Sequence, residues 1–481
     1  MPPDVRRERL RIALPWSLRP PRSGLGAGGV GPGRLNGPRM RPPLPPGPYL
    51  VVGLARSGRA AALALHARGE EVMGCDAGAV DAGAAGELER AGVRVHAETD
   101  GVDLLNGVRT VIKSPGVPQE APVVRAARER GITVLGELEL GWRLLPNPVI
   151  AITGSNGKTT TTELIGQIHR EAGVRVAVAG NVGTALTTLP GTLDDAAVIV
   201  LEASSFQLED TLSFAPDAAV LLNLAPDHLD RHGSFAAYRE AKLRIFAAQP
   251  PEAIAVVPAG FDPPGEAARV TFASPMTPDA GAADVTVDGG RLVWRGEPLI
   301  ETADIRLRGT HNVENAMAAA AVTLARGIDA GAVRAALAGF AGVAHRLEEV
   351  ARIDGVLYVD DSKATNVASA VVGIGSFPGG VHVILGGRGK REDYTPLAAA
   401  VTARCRAAYL VGEEEARLAE ALAGTGVPAH RCGDLDHAVA SARAAAAPGE
   451  VVLLSPACAS YDQFRSFDER GDRFKALATA G

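Results

Sequence analysis

The chain has 481 residues, too long for one ordinary domain at about 150 residues each, and its 46% hydrophobic and 22% charged content is that of a globular protein with a sizeable core. A formal net charge of −6 gives no electrostatic reason to expect nucleic acid or an anionic membrane as partner, and no apolar run is long enough to span a bilayer. The four cysteines, Cys75, Cys405, Cys432 and Cys458, stand far apart, without a CxxC pair or a His/Cys cluster of metal spacing, and read as reduced thiols of a cytoplasmic protein.

Residues 1–46 are crowded with Pro, Gly and Arg, and Pro15 and the arginines interrupt any apolar core that a signal peptide would need. Such a composition buries too little surface to fold, so the segment is expected to be a disordered, dispensable tail or to precede a true start at Met40; a functional basic tail is the alternative. From Pro48 onward strands and helices alternate. "PYLVVGLARSGRAAALALHARGEEVMGCD" reads as strand, tight turn, helix, strand, and "TVIKSPGVP" as a strand running into a loop. A second unit starts at "NPVIAITGSNGKTT" and continues through the strands of "DAAVIVLEASSFQL" and "PDAAVLLNLAPDHLDRH". A β-rich stretch follows, with a hairpin predicted at Asp288-Gly289-Gly290, and then a helix at "HNVENAMAAAAVTLARG". A third unit begins near Gly342 and includes "GVLYVDDSKATN", "GGVHVILGGRGKRED" and "EVVLLSPACASYDQF". No short internal repeat is visible. The predicted architecture is three consecutive α/β units, at 47–138, 139–341 and 342–481, each with a mostly parallel sheet.

Ligands of open parallel sheets bind at the carboxyl ends of the strands. Lys158, Glu202, His228, Asp361, Lys363, Lys390 and Ser460 all follow apolar strands within a few residues. The richest stretch is "GSNGKTTTT" at 154–162, a glycine loop between a strand and a helix. Its backbone amides and helix start suit phosphate, Lys158 adds a cation, and the Thr159 hydroxyl suits Mg²⁺. The common phosphate-loop pattern wants a glycine where Ile152 stands, and an ordinary strand–turn–helix is the alternative reading. "GLARSG" (53–58), followed by Asp76 about 20 residues on, is a variant dinucleotide fingerprint and makes a nicotinamide dehydrogenase the competing class. Glu202 is a candidate Mg²⁺ ligand, and His228 is either a ligand or a surface histidine. Lys363 and Lys390 suggest an anion-binding surface, with solvated lysines as the alternative.

"GSNGKTT", "GNVG" (180–183), "EASSFQL", "DHLDRH", "HNVEN", the His345-Arg346 pair, "DDSKATN" and "SPACASYDQF" occur in an order that resembles the Mur ligase family, ATP-dependent amide-forming enzymes of peptidoglycan precursor synthesis. The likeness runs from about Pro48 to the C-terminus, and the family's own loop lacks the early glycine. "EASSFQL", "DDSKATN" and "SPACASYDQF" look like the branch that joins D-glutamate to UDP-N-acetylmuramoyl-L-alanine, and the last two, in the third unit, weigh most. The resemblance implies a Rossmann-like UDP-binding unit, a phosphate-loop ATPase-like central unit and a Rossmann-like amino-acid-binding unit. It implies that Gly154, Ser155, Asn156, Gly157, Lys158, Thr159 and Thr160 hold the ATP phosphates, that Asn312 and Asn315 face adenine, and that Arg346 and Asp361 reach ATP from the third unit. Thr159 and Glu202 would hold one Mg²⁺ and His228 a second, with Lys242 carbamylated by CO₂ as a further oxygen ligand. Lys363 would act at the reacting carboxylate, and Lys158, His228, Lys242 and Lys363 would be the catalytic group. Asn181 and Ser204 would touch substrate; Thr365, Lys390, Ser460 and Phe467 would frame D-glutamate; Ser57, Asp76 and Ser114 would lie nearest the UDP. Where some members follow the aspartate with Thr-Arg, this chain has Ala77-Gly78. The implied protein is a cytoplasmic monomer that binds neither nucleic acid nor membrane. A sister ligase, including the folylpolyglutamate branch, would keep the ATP core and change the third-unit motifs.

Overall fold

The computed structural model describes residues 40–181, 183–273, 283–307, 309–389 and 392–480. Their strands form three sheets that follow one another along the chain. The first contains β1 (Tyr49–Val52), β2 (Val72–Cys75), β3 (Arg94–His96), β4 (Thr110–Lys113) and β5 (Thr133–Gly136) in the order β3-β2-β1-β4-β5, all parallel. The second contains β6 (Val149–Thr153), β7 (Val176–Gly180), β8 (Val198–Glu202), β9 (Ala218–Leu221), β10 (Ile254–Pro258), β11 (Ala268–Phe272), β12 (Val285–Asp288), β13 (Arg291–Trp294) and β14 (Glu297–Glu301). Its order is β14-β13-β12-β11-β10-β9-β6-β8-β7. The third contains β15 (Glu348–Ile353), β16 (Val356–Asp360), β17 (Val381–Gly386), β18 (Cys405–Val411), β19 (Ala429–Gly433) and β20 (Val451–Ala457), in the order β15-β16-β20-β17-β18-β19.

Alternate residues of a single strand enter different cores, as a period of two requires when both faces are covered. Ile150 and Ile152 of β6 pack with Leu164, Ile165 and Ile168 of the helix Lys158–Glu171. Val149 and Ala151 of the same strand pack with Leu243, Ile245 and Phe246 of the helix Phe235–Ala247. In β1, Tyr49 and Val51 divide from Leu50 and Val52 in the same way, and in β17 Val381 and Val383 divide from Ile384. The near-continuous apolar runs of the sequence are therefore central strands sandwiched by helices. The architecture is the expected one of three consecutive α/β domains.

Two local expectations have clear outcomes. The hairpin forms: Asp288 pairs with Arg291 across a two-residue turn in which Gly289 and Gly290 both have positive φ, 52° and 80°. The disordered tail, expected to run to residue 46, needs correction at its end. Residues 40–46 are held against the domains. Arg41 donates to the Leu145 and Asn147 carbonyls (3.2 and 2.7 Å) and lies over the Trp142 ring at 4.7 Å. Arg143 donates to the Pro43 carbonyl and Thr110 to the Pro46 carbonyl. A proline-rich segment has carbonyls but few N–H groups, and side-chain donors from folded elements satisfy those carbonyls. Residues 1–39 lie outside the described residues.

Candidate active site

The first sheet reverses its strand order between β1 and β4, and a cavity of about 500 Å³ opens at that switch point. Ser57, Asp76 and Ser114 line it together with Arg56, Asn181 and Gln207, the last two from the central domain. The glycine pattern of 53–58 has a packing cause. A Cβ on Gly58 would lie 1.8 Å from the Gly53 carbonyl, so the helix Arg56–His66 can approach β1 only with glycine there. Asp76 accepts the Leu54 and Gly78 amides at 2.8 and 2.9 Å, which fixes both loops of the cavity mouth, and Ser114 donates to the Gly53 carbonyl at 2.7 Å.

The phosphate-type loop follows β6. Ile152, where the common pattern has glycine, is an interior strand residue paired with Glu202 and Val220, so the loop begins later, at Gly154. Asn223, just after β9, braces it: Ser155 N donates to the Asn223 carbonyl and Asn156 N to its Oδ1. Gly157 has φ 83°, and a Cβ there would sit 2.2 Å from Asn315 Oδ1, so any other residue would be strained and would displace Asn315. Lys158 Nζ folds back on the Gly154 and Ser155 carbonyls (3.0 and 2.9 Å). Its burial disfavours the charged form and pulls its pKa below the usual lysine value.

A chain of contacts runs from this loop across to the third domain. The Thr159 hydroxyl donates to Glu202 Oε2 at 2.8 Å and accepts from Arg346 Nη2 at 2.9 Å. Asn181 Nδ2 donates to the other oxygen of Glu202 at 3.2 Å. Lys242, from the helix Phe235–Ala247, is buried beneath the loop. Its Nζ donates to the Gly154 carbonyl at 2.8 Å and lies 4.6 Å from the Tyr238 ring centre. Burial, reinforced by the neighbouring Lys158 charge, lowers its pKa to about 7. The Tyr238 hydroxyl is 2.8 Å from Ser155 Oγ.

Between the central and third domains lies a second cavity of about 220 Å³. Asn156, Gly157, Thr160, Asn312 and Asn315 line one wall; Arg346, Asp361 and Lys363 line the other. Asn315 donates to Asn312 Oδ1 at 2.9 Å. Asp361 is buried, accepts from Ser455 Oγ (2.7 Å) and Leu347 N (3.3 Å), and is pushed up to about pKa 7 by desolvation. Lys363 Nζ lies 3.6 Å from the centre of the Phe467 ring, a cation–π contact.

Some predicted site residues stand apart from these cavities. Among the described residues, His228, Thr365, Ser460 and Phe467 line neither, and Gly154, Ser155, Lys158, Thr159, Glu202, Ser204 and Lys242 lie behind the cavity walls rather than on them. His228 is half-exposed, has φ 51° at the start of the short helix Leu229–His232, and lies 4.9 Å from the Phe206 ring. Ser460 is buried after β20, and its carbonyl accepts the Gln463 and Phe464 amides. Ser204 forms a capping box with Gln207 at the start of the helix Ser205–Leu208. Lys390 lies outside the described residues. Sequence reading missed Asn223, Tyr238 and Arg231. Asn223 and Tyr238 brace the loop from 67 and 83 residues away, and only their nearness to strand end and lysine motif signalled them.

The Mur ligase middle domain matches residues 152–323, and the Mur ligase glutamate ligase domain matches residues 345–458. The chain is 42% identical over 445 residues to the UDP-N-acetylmuramoylalanine--D-glutamate ligase of Acidobacterium capsulatum, covering 90% of this chain and 96% of that one. It is 43% identical over 447 residues to the enzyme of the same name from Myxococcus xanthus, covering 90% and 98%. In fold it resembles the UDP-N-acetylmuramate-alanine ligase MurC of Thermotoga maritima, with TM-score 0.57 at 19% identity over 90% of this chain and 99% of that one. It also resembles the Mycobacterium tuberculosis folylpolyglutamate synthase complexed with ADP, with TM-score 0.53 at 16% identity over 70% and 92%. With a phosphate-type loop tied to a glutamate and to a third-domain arginine, and with relatives matched over nearly their whole length, the chain belongs to the Mur ligase family.

Proposed function

We propose that this chain joins D-glutamate to UDP-N-acetylmuramoyl-L-alanine at the expense of ATP, in the cytoplasm and as a monomer, in peptidoglycan precursor synthesis. The observation that carries the mechanism is the continuous Glu202–Thr159–Arg346 contact, which brings the phosphate loop, an acidic strand end and the third domain to one point. The relatives' printed names carry the choice of amino acid and nucleotide substrate.

A carboxylate is a poor electrophile. Transfer of the ATP γ-phosphoryl to the substrate carboxylate gives an acyl phosphate and ADP. The free amine of D-glutamate then adds to the acyl carbon, the tetrahedral intermediate expels phosphate, and the amine proton leaves to solvent or to the phosphate. The first step brings anion against anion, and two unit charges at ~4 Å repel by about 4 kcal/mol at an effective dielectric of 20. Arg346 and Lys363, which line this cavity, and Lys158 of the loop beside it oppose that repulsion, so catalysis rests on positioning and electrostatics. ATP takes the cavity between the domains, with adenine toward Asn312 and Asn315 and the phosphates on residues 154–160. The UDP moiety takes the cavity at Ser57, Asp76 and Ser114. Thr365, Lys390, Ser460 and Phe467 frame D-glutamate, Lys363 acts at the reacting carboxylate, and Asn181 and Ser204 border the reacting end.

Thr159 and Glu202 offer buried oxygen donors suited to Mg²⁺, and His228 suits a second ion. Bound Mg²⁺ supplies charge neutralisation on the phosphates. Lys242 fits a carbamate. Addition of CO₂ requires a neutral amine and releases one proton, and a pKa of about 7 leaves much of this amine neutral near physiological pH. Asp361 and Lys363 approach ATP from the third domain, so closure of the domains would exclude the water that would hydrolyse the acyl phosphate.

The test is phosphate release with ATP, UDP-N-acetylmuramoyl-L-alanine and a panel of amino acids. D-glutamate alone in the panel should support it, and only with Mg²⁺. Release driven by L-alanine, or by a folate with L-glutamate, would assign the chain to a sister branch.

A further inference from the structure

The loop 114–118, "SPGVP", forms one rim of the 500 Å³ cavity in the first domain, yet residues of the central domain hold it in place. Lys113 at its start and Gln119 at its end both bind Asp210: Lys113 Nζ to Oδ2 at 2.6 Å and Gln119 Nε2 to Oδ1 at 2.9 Å. Between these anchors the Arg231 guanidinium donates to three successive carbonyls, those of Pro115 (3.4 Å), Gly116 (3.4 Å) and Val117 (2.7 Å). The planar fork of arginine can serve several acceptors at once, which an ammonium cannot do with the same geometry. Arg231 is itself oriented: it lies 4.8 Å over the Phe206 ring and 3.8 Å from Glu209.

We propose that Arg231 is a positioning residue for the nucleotide-sugar substrate, acting through loop 114–118. The inference rests on the reading of this cavity as the UDP site. The loop carries Ser114 and two prolines, and its backbone makes no ladder of its own beyond β4. Without the guanidinium, its three carbonyls lose their common donor and the cavity rim loses its fixed shape. The same short helix, Leu229–His232, begins with His228 as its cap. Arg231 therefore also ties the cavity rim to the turn that carries His228.

The experiment is calorimetric titration of Arg231→Gln with UDP and with UDP-N-acetylmuramoyl-L-alanine in the absence of ATP, followed by steady-state kinetics with each substrate varied. Loss of several charge-assisted hydrogen bonds predicts a rise of about tenfold or more in Kd for the UDP ligands and in KM for the nucleotide-sugar. The KM values for ATP and D-glutamate should stay within about twofold, and Arg231→Lys should fall between the two proteins because one contact can survive. Unchanged affinity for UDP ligands overturns the inference, and so does an equal loss for ATP, which would mark a general structural role. If Arg231→Gln does not fold, Phe206→Leu removes the ring beneath the guanidinium and should show the same substrate split, smaller in size; no split there overturns the inference. Failure of the unsubstituted chain to bind UDP ligands would instead overturn the functional reading on which this inference stands.

Discussion

The two cavities sit at two domain junctions built on different physical terms. The junction of the first and central domains is stapled by desolvated charge. Lys113 is fully buried against Asp210, and Gln119 crosses the same junction to the other oxygen of that carboxylate. The junction of the central and third domains is crossed by Arg346 on Thr159 and encloses a cavity whose polar walls face one another. A buried ion pair costs a great deal to separate, because each ion left alone keeps its desolvation penalty. A polar cavity that a charged ligand fills can open and close at smaller cost. The first junction is therefore expected to behave as one body and the second as a clamp that ATP helps to shut.

The largest expected effects lie at the clamp's chemistry. Lys158→Ala should lower turnover by about 10²–10³-fold, the scale for removing one preorganised charge donor, while thermal unfolding stays near that of the unsubstituted protein. Normal turnover by the folded variant would remove the loop from the mechanism. Next comes the contrast between junctions. Arg346→Ala should lower kcat/KM for ATP by about 10²-fold and leave urea stability within about 1 kcal/mol. Asp210→Ala, which leaves buried Lys113 only the more distant Glu209 at 3.8 Å, should cost about 3 kcal/mol of stability. If the two variants exchange these signatures, the assignment of staple and clamp is reversed.

A smaller effect concerns Lys242, whose folded pKa of about 7 lies below the ordinary lysine value of 10.5. Between these values the unfolded chain holds a proton that the folded chain lacks, so this group makes stability rise with pH across that window. Lys242→Met removes the penalty. In CO₂-depleted buffer its advantage over the parent should be greatest at or below pH 7 and shrink toward pH 10.5, at about 1.4 kcal/mol per pH unit at most. Urea titrations at pH 6.5, 8 and 9.5 would reveal a flat difference if the amine were ordinary. The same variant should lack activity at every pH. The smallest effect is deletion of residues 1–39, which should change neither melting temperature nor turnover; a fall of several degrees would show that this segment packs on the body. Deletion through residue 46 is a different experiment, because it removes Arg41 from Trp142 and from two backbone carbonyls, and it should destabilise the protein.

The sequence by itself determined what short-range chemistry can fix. Apolar runs with helical neighbours specify parallel strands, adjacent glycines with positive φ specify the β12–β13 turn, and "GSNGKT" after a strand specifies an anion loop at a helix start. These depend on period, turn chemistry and the residues next in line, all of which the local sequence contains. The tertiary structure alone decided which distant groups meet. Nothing near Lys242 announces that its amine lies under the Gly154 carbonyl, 88 residues away, where desolvation changes its charge state. Nothing near Gly157 shows that Asn315 would collide with any side chain placed there, and nothing in "DHLDRH" shows that Arg231 holds carbonyls 114–116 residues back along the chain. Those partners depend on strand order and on how domains dock, because a side chain's protonation and aim are set by the burial and charges around it, and only the assembled fold supplies these.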